Sequence, residues 1–294
     1  MMQSNNVKQR VIDYYDQEAP NYFDLYTKEK LEQELYPANT IRLEIILRRL
    51  KERKCRTVFD IGTGSGGPLV HFLRKGFDAR GIDFSPEMVK VGKKILTKTG
   101  FDPNLIEWGD LERAETLPKS KFDAVIATGV FPHNLDDHMA YANVRSLLGP
   151  CGFALIEYRN ILMSLFSLNQ YSKAFFWDDL ISGNHLPSNL KKATCEYLIQ
   201  KFDSPTNNLD NFGKIEFSEI LARFHNPLTL NTELSQWGLI LKKIYFYHYH
   251  SAPPILEKYF EKEFWESSLK LEKPDDWRGY FLASAFVVEI EVLK

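Results

Sequence analysis

A glycine-rich turn at residues 62–67 is the part of this sequence best suited to do chemistry. It lies between a run of strand-forming residues, 57–61, and an amphipathic segment, 69–75. Glycine lets a backbone approach a ligand closely, and the first turn of a helix offers unpaired N–H groups. The stretch is therefore predicted to be a strand–turn–helix unit that cradles a nucleotide, with four glycines in or beside the turn: Gly62, Gly64, Gly66 and Gly67.

Two nucleotide-binding patterns fit this turn, and Asp60 separates them. Gly62, Gly64 and Gly67 match the dinucleotide fingerprint Gly-x-Gly-x-x-Gly. Gly66 instead completes Gly-x-Gly-x-Gly, with the carboxylate of Asp60 just before the turn. A carboxylate there suits the ammonium and sulfonium groups of S-adenosylmethionine and would lie poorly beside a pyrophosphate. Asp60 therefore favours the sulfonium ligand, and a purely structural turn is the third interpretation.

A second carboxylate, Asp83, closes the next predicted strand, 79–84, and lies 21 positions after Gly62. A strand-end carboxylate at this distance can accept hydrogen bonds from both ribose hydroxyls in either class of nucleotide. Phe84 and Met88 are candidates to flank an adenine ring, with core packing as the alternative. Asp83 thus supports a ribose-containing ligand without choosing between the two patterns.

Three further stretches complete a resemblance that covers about residues 56–158. Gly109-Asp110-Leu111 follows the predicted third strand, 105–108, and the fourth strand continues into Thr128-Gly129-Val130. The turn 149–152 precedes the fifth strand and carries cysteine at the position of a family glycine. In order and spacing these stretches resemble the class I S-adenosylmethionine-dependent methyltransferases of the small-molecule kind.

The resemblance implies S-adenosylmethionine as cofactor and S-adenosylhomocysteine as product. It implies that Asp110 accepts a hydrogen bond from the adenine amino group while the backbone N–H of Leu111 meets a ring nitrogen, beside Gly109. It places Thr128 and Val130 along the cofactor. It also implies that an aromatic N-terminal segment covers the cofactor; the candidates here are Tyr14, Tyr15, Tyr22, Phe23 and Tyr26. The alternative is that these aromatic side chains anchor the helix to the body of the protein.

Three side chains are the catalytic candidates. His133 follows the fourth strand beside the cofactor edge, and histidine suits proton removal near neutral pH. Arg159 lies just past the fifth strand, where a guanidinium can clamp a carboxylate or phosphate. His225 is placed to reach in from an inserted segment. The alternatives are a structural loop histidine at 133 and a salt bridge that anchors the insert at 159.

The order of the elements predicts an α/β fold. Strands and helices alternate from 57 to 158, which is typical of a doubly wound, mostly parallel, Rossmann-like sheet. Two later strands are predicted to complete seven strands as an antiparallel final hairpin. The predicted parts are an N-terminal helical lid at 1–55 with a helix that stops before Pro20, a cofactor-binding core at 56–158, an inserted helical cap on the acceptor side at 159–232, and a C-terminal part at 233–294 that completes the sheet.

Composition narrows the class of protein further. The chain of 294 residues has a net charge of −2 and 44% hydrophobic residues, so it can bury a large core and has no global field for nucleic acid. Its three cysteines show no metal or redox spacing, so no metal is expected, and so sparse a count suits a reducing cytoplasm. No apolar run approaches the roughly 18 residues of a membrane span. We expect a cytoplasmic monomer or homodimer with no nucleic-acid or membrane partner.

These observations predict a methyltransferase that moves a methyl group to an oxygen or nitrogen of a small metabolite such as a sugar or secondary metabolite. Two alternatives stay open at this point. An NAD-dependent oxidoreductase would use the fingerprint through Gly67, and a non-catalytic S-adenosylmethionine-binding protein would use the same pocket without transfer.

Overall fold

The computed structural model describes residues 2–26, 35–168, 170–181, 188–202 and 220–293. Seven strands lie in the described ranges: β1 Thr57–Ile61, β2 Asp78–Asp83, β3 Ile106–Trp108, β4 Phe122–Ala127, β5 Leu148–Arg159, β6 Leu239–Tyr249 and β7 Ala283–Val292. They form one sheet in the order β3-β2-β1-β4-β5-β7-β6. The first five strands are parallel, whereas β7 is antiparallel to both β5 and β6. The predicted doubly wound sheet with an antiparallel final hairpin is confirmed.

The described helices lie before, between and after these strands: α1 Met2–Tyr22, α2 Ala38–Glu52, α3 Gly67–Arg74, α4 Pro86–Thr99, α5 Asp137–Leu147, α6 Ser164–Ser167, α7 Gln170–Ala174, a π-helix Phe175–Ile181, α8 Ser188–Phe202, α9 Leu230–Ser235, α10 Glu261–Leu271 and α11 Gly279–Leu282. The start of α4 shows how sequence sets these bounds. The Ser85 hydroxyl caps it by accepting from the Met88 N–H, Pro86 occupies the first turn, and Gly100 ends the helix in a left-handed conformation. No helix of the described ranges is long and apolar enough to cross a membrane.

The sheet buries apolar side chains on both faces, as a doubly wound fold requires. Helices α2, α3 and α4 cover one face through residues such as Ile46, Leu69 and Phe72. Helices α5 and α9 cover the other face through residues such as Tyr141 and Leu234. The strands between the helices are therefore held rigidly, and so are the loops at their carboxyl ends.

The order of the strands reverses direction at β1, which pairs with β2 on one side and β4 on the other. The loops after β1 and β4 therefore leave in opposite directions and open a crevice at the carboxyl edge of the sheet. The glycine turn follows β1, Asp83 ends β2, and 128–130 follow β4. The fold thus places the motifs found in the sequence around one crevice.

The N-terminal helix differs from the prediction at its end. It continues through Pro20 to Tyr22 instead of stopping before the proline. Buried Ala19 and the contact of Tyr22 with Gly64 hold the last turn against the core, so tertiary packing outweighs the hydrogen bond that proline cannot donate.

The inserted segment contains the helices α6, α7, the π-helix and α8. Residues 169, 182–187 and 203–219 of the predicted insert lie outside the described residues, as do residues 1 and 27–34 of the predicted lid. The division of the chain at 55, 158 and 232 stays a prediction.

Candidate active site

A cleft opens at the carboxyl ends of β1, β2 and β4, with α1 as its outer wall. Its empty volume is about 620 Å³, including solvent at the mouth. Ten of the twelve predicted cofactor residues line it: Gly62, Gly64, Asp83, Phe84, Met88, Gly109, Asp110, Leu111, Thr128 and Val130. The two others do not line it: Asp60 is buried in β1, and Gly66 caps the start of helix α3.

The glycine turn needs glycine at two positions, because each combines a positive φ with a close neighbour. Gly62 has φ +69°, and a Cβ there would lie 2.4 Å from Cγ2 of Val130. A Cβ at Gly64, where φ is +57°, would lie 3.0 Å from the ring of Tyr22. Backbone therefore forms the floor of the cleft, and no side chain at these positions separates it from a ligand.

Asp83 is fixed by the backbone around it. Its Oδ2 accepts from the Gly64 N–H at 2.8 Å, and its Oδ1 accepts from the Ser85 N–H at 2.9 Å. Burial raises the pKa of Asp83 to about 6, although these two hydrogen bonds oppose the shift. The carboxylate is thus held rigidly at the point where a ribose would approach.

Asp60 lies beneath the turn and is only 1% exposed. Neither of its carboxylate oxygens makes a hydrogen bond of good geometry among the described residues, although the Thr63 hydroxyl is close enough to stabilise the charged form. The buried hydroxyl of Ser65 likewise has no partner among these residues. Burial raises the pKa of Asp60 to about 7. Buried polar groups are nearly always satisfied, so this cluster fits a ligand that brings its own donors, as the ammonium group of S-adenosylmethionine does.

The far end of the cleft carries two carboxylates. Asp110 Oδ1 accepts from the Glu112 N–H at 3.0 Å, and its backbone N–H donates to the Thr116 hydroxyl at 2.9 Å. Asp110 Oδ2 lies 2.6 Å from the Lys8 ammonium, which also lies 2.5 Å from Glu112 Oε2. Phe84, Met88 and Leu111 line this end as well, so it combines apolar surface with a hydrogen-bond acceptor.

Helix α1 contributes three residues to the wall, Lys8, Tyr15 and Tyr22. They are seven residues apart, which is close to two helical turns, so they share one face of α1. Asp16 adds a contact outside the cleft, because its Oδ1 accepts from the Ser85 hydroxyl and, at 3.3 Å, from the Glu87 N–H. We refer to α1 as the lid helix.

His133 also lines the cleft, and its contacts define one tautomer. Its Nδ1 lies 2.6 Å from the carbonyl oxygen of Leu221, which can only accept, so Nδ1 carries the proton. Its Nε2 therefore accepts from the Tyr15 hydroxyl at 2.9 Å. Burial lowers the pKa of His133 to about 4, which keeps the imidazole neutral with a basic nitrogen on the cleft side.

The two other catalytic candidates do not line the cleft. Arg159 ends β5, and burial lowers the pKa of its guanidinium, with Tyr15, Glu157 and Tyr171 among the groups that oppose this shift. His225 lies against the ring of Tyr158, with centroids 4.5 Å apart. Its Nε2 is 3.0 Å from Asp137 Oδ2. Arg159 therefore lies near Tyr15 of α1. His225 instead packs against Tyr158 and Asp137, away from the cleft lining.

Sequence reasoning missed four cleft residues, Lys8, Ile61, Glu112 and Asn134. Asn134 is 5% exposed, and its Nδ2 has no partner in the described part of the chain. The sequence signal that could have identified Asn134 as a cleft residue is its position directly after His133. No local signal marked Lys8, because its partners are more than 100 residues away.

A family model described as a methyltransferase domain matches residues 59–154. A ubiquinone biosynthesis O-methyltransferase from Photorhabdus laumondii is 25% identical over 227 residues, which cover 76% of this chain and 88% of that protein. The glycine N-methyltransferase of Rattus norvegicus is 26% identical over 213 residues, 65% of this chain and 71% of that protein. The structure of magnesium protoporphyrin IX methyltransferase from Synechocystis PCC 6803, with bound S-adenosylhomocysteine, matches with a TM-score of 0.56 at 14% identity, covering 98% and 100% of the two chains.

This chain is an S-adenosylmethionine-dependent methyltransferase with the fold of class I enzymes. The family decides between the two glycine patterns, because its cofactor is S-adenosylmethionine and not a nicotinamide dinucleotide. The predicted cofactor and the predicted enzyme class are confirmed, and the oxidoreductase and non-catalytic alternatives lose their support. The individual roles of the cleft residues remain predictions.

Proposed function

We propose that this methyltransferase moves the methyl group of S-adenosylmethionine to an oxygen or nitrogen of a small metabolite, with oxygen favoured. The observation that carries the proposal is His133, a buried neutral imidazole with its basic nitrogen on the cleft side. An oxygen acceptor must lose a proton, and a histidine in this state is able to take it.

The cofactor is proposed to lie along the cleft from Asp60 to Asp110. Asp60, buried beneath the turn, would attract the ammonium group electrostatically through the backbone of Gly62 and Gly64. Asp83 would accept from the ribose hydroxyls, and Asp110 from the adenine amino group. Phe84, Met88 and Leu111 would pack on the adenine ring, with Gly109, Thr128 and Val130 beside the nucleoside and Gly66 at the start of helix α3, where a Cβ would lie 2.8 Å from Ile106.

The bound cofactor supplies an activated methyl group on a sulfonium, so the chain itself needs to position the acceptor, exclude water and manage a proton. Lid helix α1 closes the outer wall and excludes water from the cleft. With a pKa of about 4, His133 is too weak a base to deprotonate an alcohol in advance. The acceptor proton becomes strongly acidic as the new carbon–oxygen bond forms. It would pass to the Tyr15 hydroxyl while that hydroxyl gives its own proton to Nε2 of His133.

Arg159 is proposed to bind an acidic group of the acceptor. It ends β5, and Tyr15 of α1 is among the groups that act on its charge. A guanidinium in this position can pair with a carboxylate or phosphate. For His225 we propose a positioning role. Its backbone N–H donates to the Arg159 carbonyl at 2.8 Å, so it fixes the backbone that carries the guanidinium.

The test has two stages. Calorimetry with S-adenosylmethionine, S-adenosylhomocysteine and NAD should show binding of both sulfur ligands and none of NAD, with a large loss for Asp83→Ala. A panel of small hydroxyl and amino compounds is then incubated with methyl-labelled S-adenosylmethionine and either the unmodified enzyme or His133→Gln. Label transfer to a small hydroxyl compound that falls at least tenfold in the variant supports the proposal. Transfer only to nucleic acid or protein would overturn it.

A further inference from the structure

The ammonium of Lys8 bridges the carboxylates of Asp110 and Glu112 at one end of the cleft. It lies 2.6 Å from Asp110 Oδ2 and 2.5 Å from Glu112 Oε2, and the side chain of Lys8 is 20% exposed. A lysine ammonium has three donors, so it can bond both carboxylates at once. This contact joins the lid helix to the rim of the cleft.

The rim that receives Lys8 is fixed independently of the lid. Glu112 Oε1 accepts from the N–H groups of Leu135 and Asp136 at 2.9 and 2.6 Å. Asp110 is held by the Glu112 N–H and by Thr116. The two carboxylates therefore keep their positions whether or not α1 is docked, and the ion pairs with Lys8 form only when it is.

The contact with Lys8 leaves Asp110 able to accept a second hydrogen bond. A carboxylate oxygen has two lone pairs, so Oδ2 is able to accept from Lys8 and from one further N–H. Glu112 offers Lys8 a separate partner in any case. A ligand amino group at Asp110 therefore does not require Lys8 to leave.

We propose that Lys8 is a latch that holds the lid helix closed over the nucleoside end of the bound cofactor or product. The inference rests on the proposed function in one respect, the placement of the nucleoside beside Asp110. The ion pairs made by Lys8 break before the nucleoside leaves, so they slow its release. The latch acts on dissociation, and it weakens as ionic strength rises because its ion pairs are partly exposed.

S-adenosylhomocysteine is the probe, because its charged groups sum to zero near neutral pH and the salt dependence then reports mainly on the protein. Its dissociation constant and dissociation rate are measured for the unmodified chain, Lys8→Met and Lys8→Arg. Lys90→Met is the matched control, since Lys90 pairs with Glu87 on an exposed surface. Thermal unfolding without ligand checks that every variant is folded.

We expect Lys8→Met to raise the dissociation constant about five- to tenfold, mainly through faster release, and to flatten its salt dependence. Lys8→Arg should restore most of the affinity, and Lys90→Met should change nothing. In a Glu112→Gln background, where the amide oxygen can still accept from Leu135 and Asp136, Lys8→Met should have a smaller effect.

An unchanged or tighter affinity in Lys8→Met, with the fold intact, would overturn the latch and leave the proposed function standing. A tighter affinity would mean that Lys8 competes with the ligand for Asp110. Failure of the unmodified chain to bind S-adenosylhomocysteine would instead overturn the proposed function, and the latch with it.

Discussion

The Tyr15 hydroxyl on the lid helix donates to Nε2 of His133 after β4, across 2.9 Å. The two residues are 118 positions apart in the chain, so this bond exists only when α1 is docked. The Leu221 carbonyl at Nδ1 fixes the tautomer from a third segment. The lid helix, the loop after β4 and the segment that carries Leu221 therefore all meet at the His133 imidazole. The pKa of this ring then reports whether α1 is docked over the cleft.

Replacing Tyr15 by phenylalanine should raise the pKa of His133. The hydroxyl stabilises the neutral imidazole by donating to Nε2, so its loss should shift the pKa upward from about 4 by about half to one unit. Titration of the His133 ring protons by NMR measures the shift. His71, whose ring nitrogen contacts the Tyr26 carbonyl instead, is the internal control. An unchanged His133 pKa would mean that the contact has no energetic weight in solution.

The pH dependence of methyl transfer should follow the neutral form of His133. Because burial lowers its pKa to about 4, the imidazole is already neutral across the range from pH 6 to 8. We expect the transfer rate to be level there with respect to this group and to fall as the pH drops through about 4. Label transfer to the acceptor found in the screen measures this profile. A rise of activity through pH 6–7 that disappears in His133→Gln would contradict the low pKa.

The sequence was sufficient to predict the fold and most of the cleft, because both depend on local patterns. Short apolar strands alternating with amphipathic helices specify the sheet, and the glycine turn and Asp83 lie at strand ends that any doubly wound sheet brings together. Contacts between distant segments were not predictable in this way. The pairing of Lys8 with Glu112 and of His225 with Asp137 depends on how the lid and the insert dock. The same docking explains why α1 continues through Pro20.

Asp60 should make the protein less stable as the pH rises from about 4 to 7. Its pKa is raised from 3.8 to about 7 by burial, so in this window the unfolded chain has released the proton and the folded chain still holds it. The unfolded state then binds fewer protons, and the free energy of unfolding falls with increasing pH until it levels above pH 7.

Asp60→Asn removes this slope. Between pH 5 and pH 7.5 the unmodified protein should lose roughly 2–3 kcal/mol of its free energy of unfolding through Asp60, and the variant should not show this loss. Urea titrations at the two pH values measure the difference. The variant should also bind S-adenosylhomocysteine more weakly at pH 8, since an amide cannot neutralise an ammonium group. Parallel stability curves for the two proteins would show that Asp60 is ionised in the folded state at pH 5.

Gly62 and Gly76 provide a matched pair for testing the floor of the cleft. Both have positive φ, +69° and +85°, but a Cβ at Gly76 meets nothing within 4 Å, whereas one at Gly62 lies 2.4 Å from Cγ2 of Val130. Alanine at Gly76 should therefore cost only the backbone strain, about 1–2 kcal/mol of stability. Alanine at Gly62 adds a clash of about 1–3 kcal/mol and displaces Val130 within the cleft. Urea unfolding and calorimetry with S-adenosylhomocysteine should show the larger loss of stability, and the loss of binding, only for Gly62→Ala. Equal losses at both positions would mean that the turn adapts to a side chain and that close backbone approach is not required.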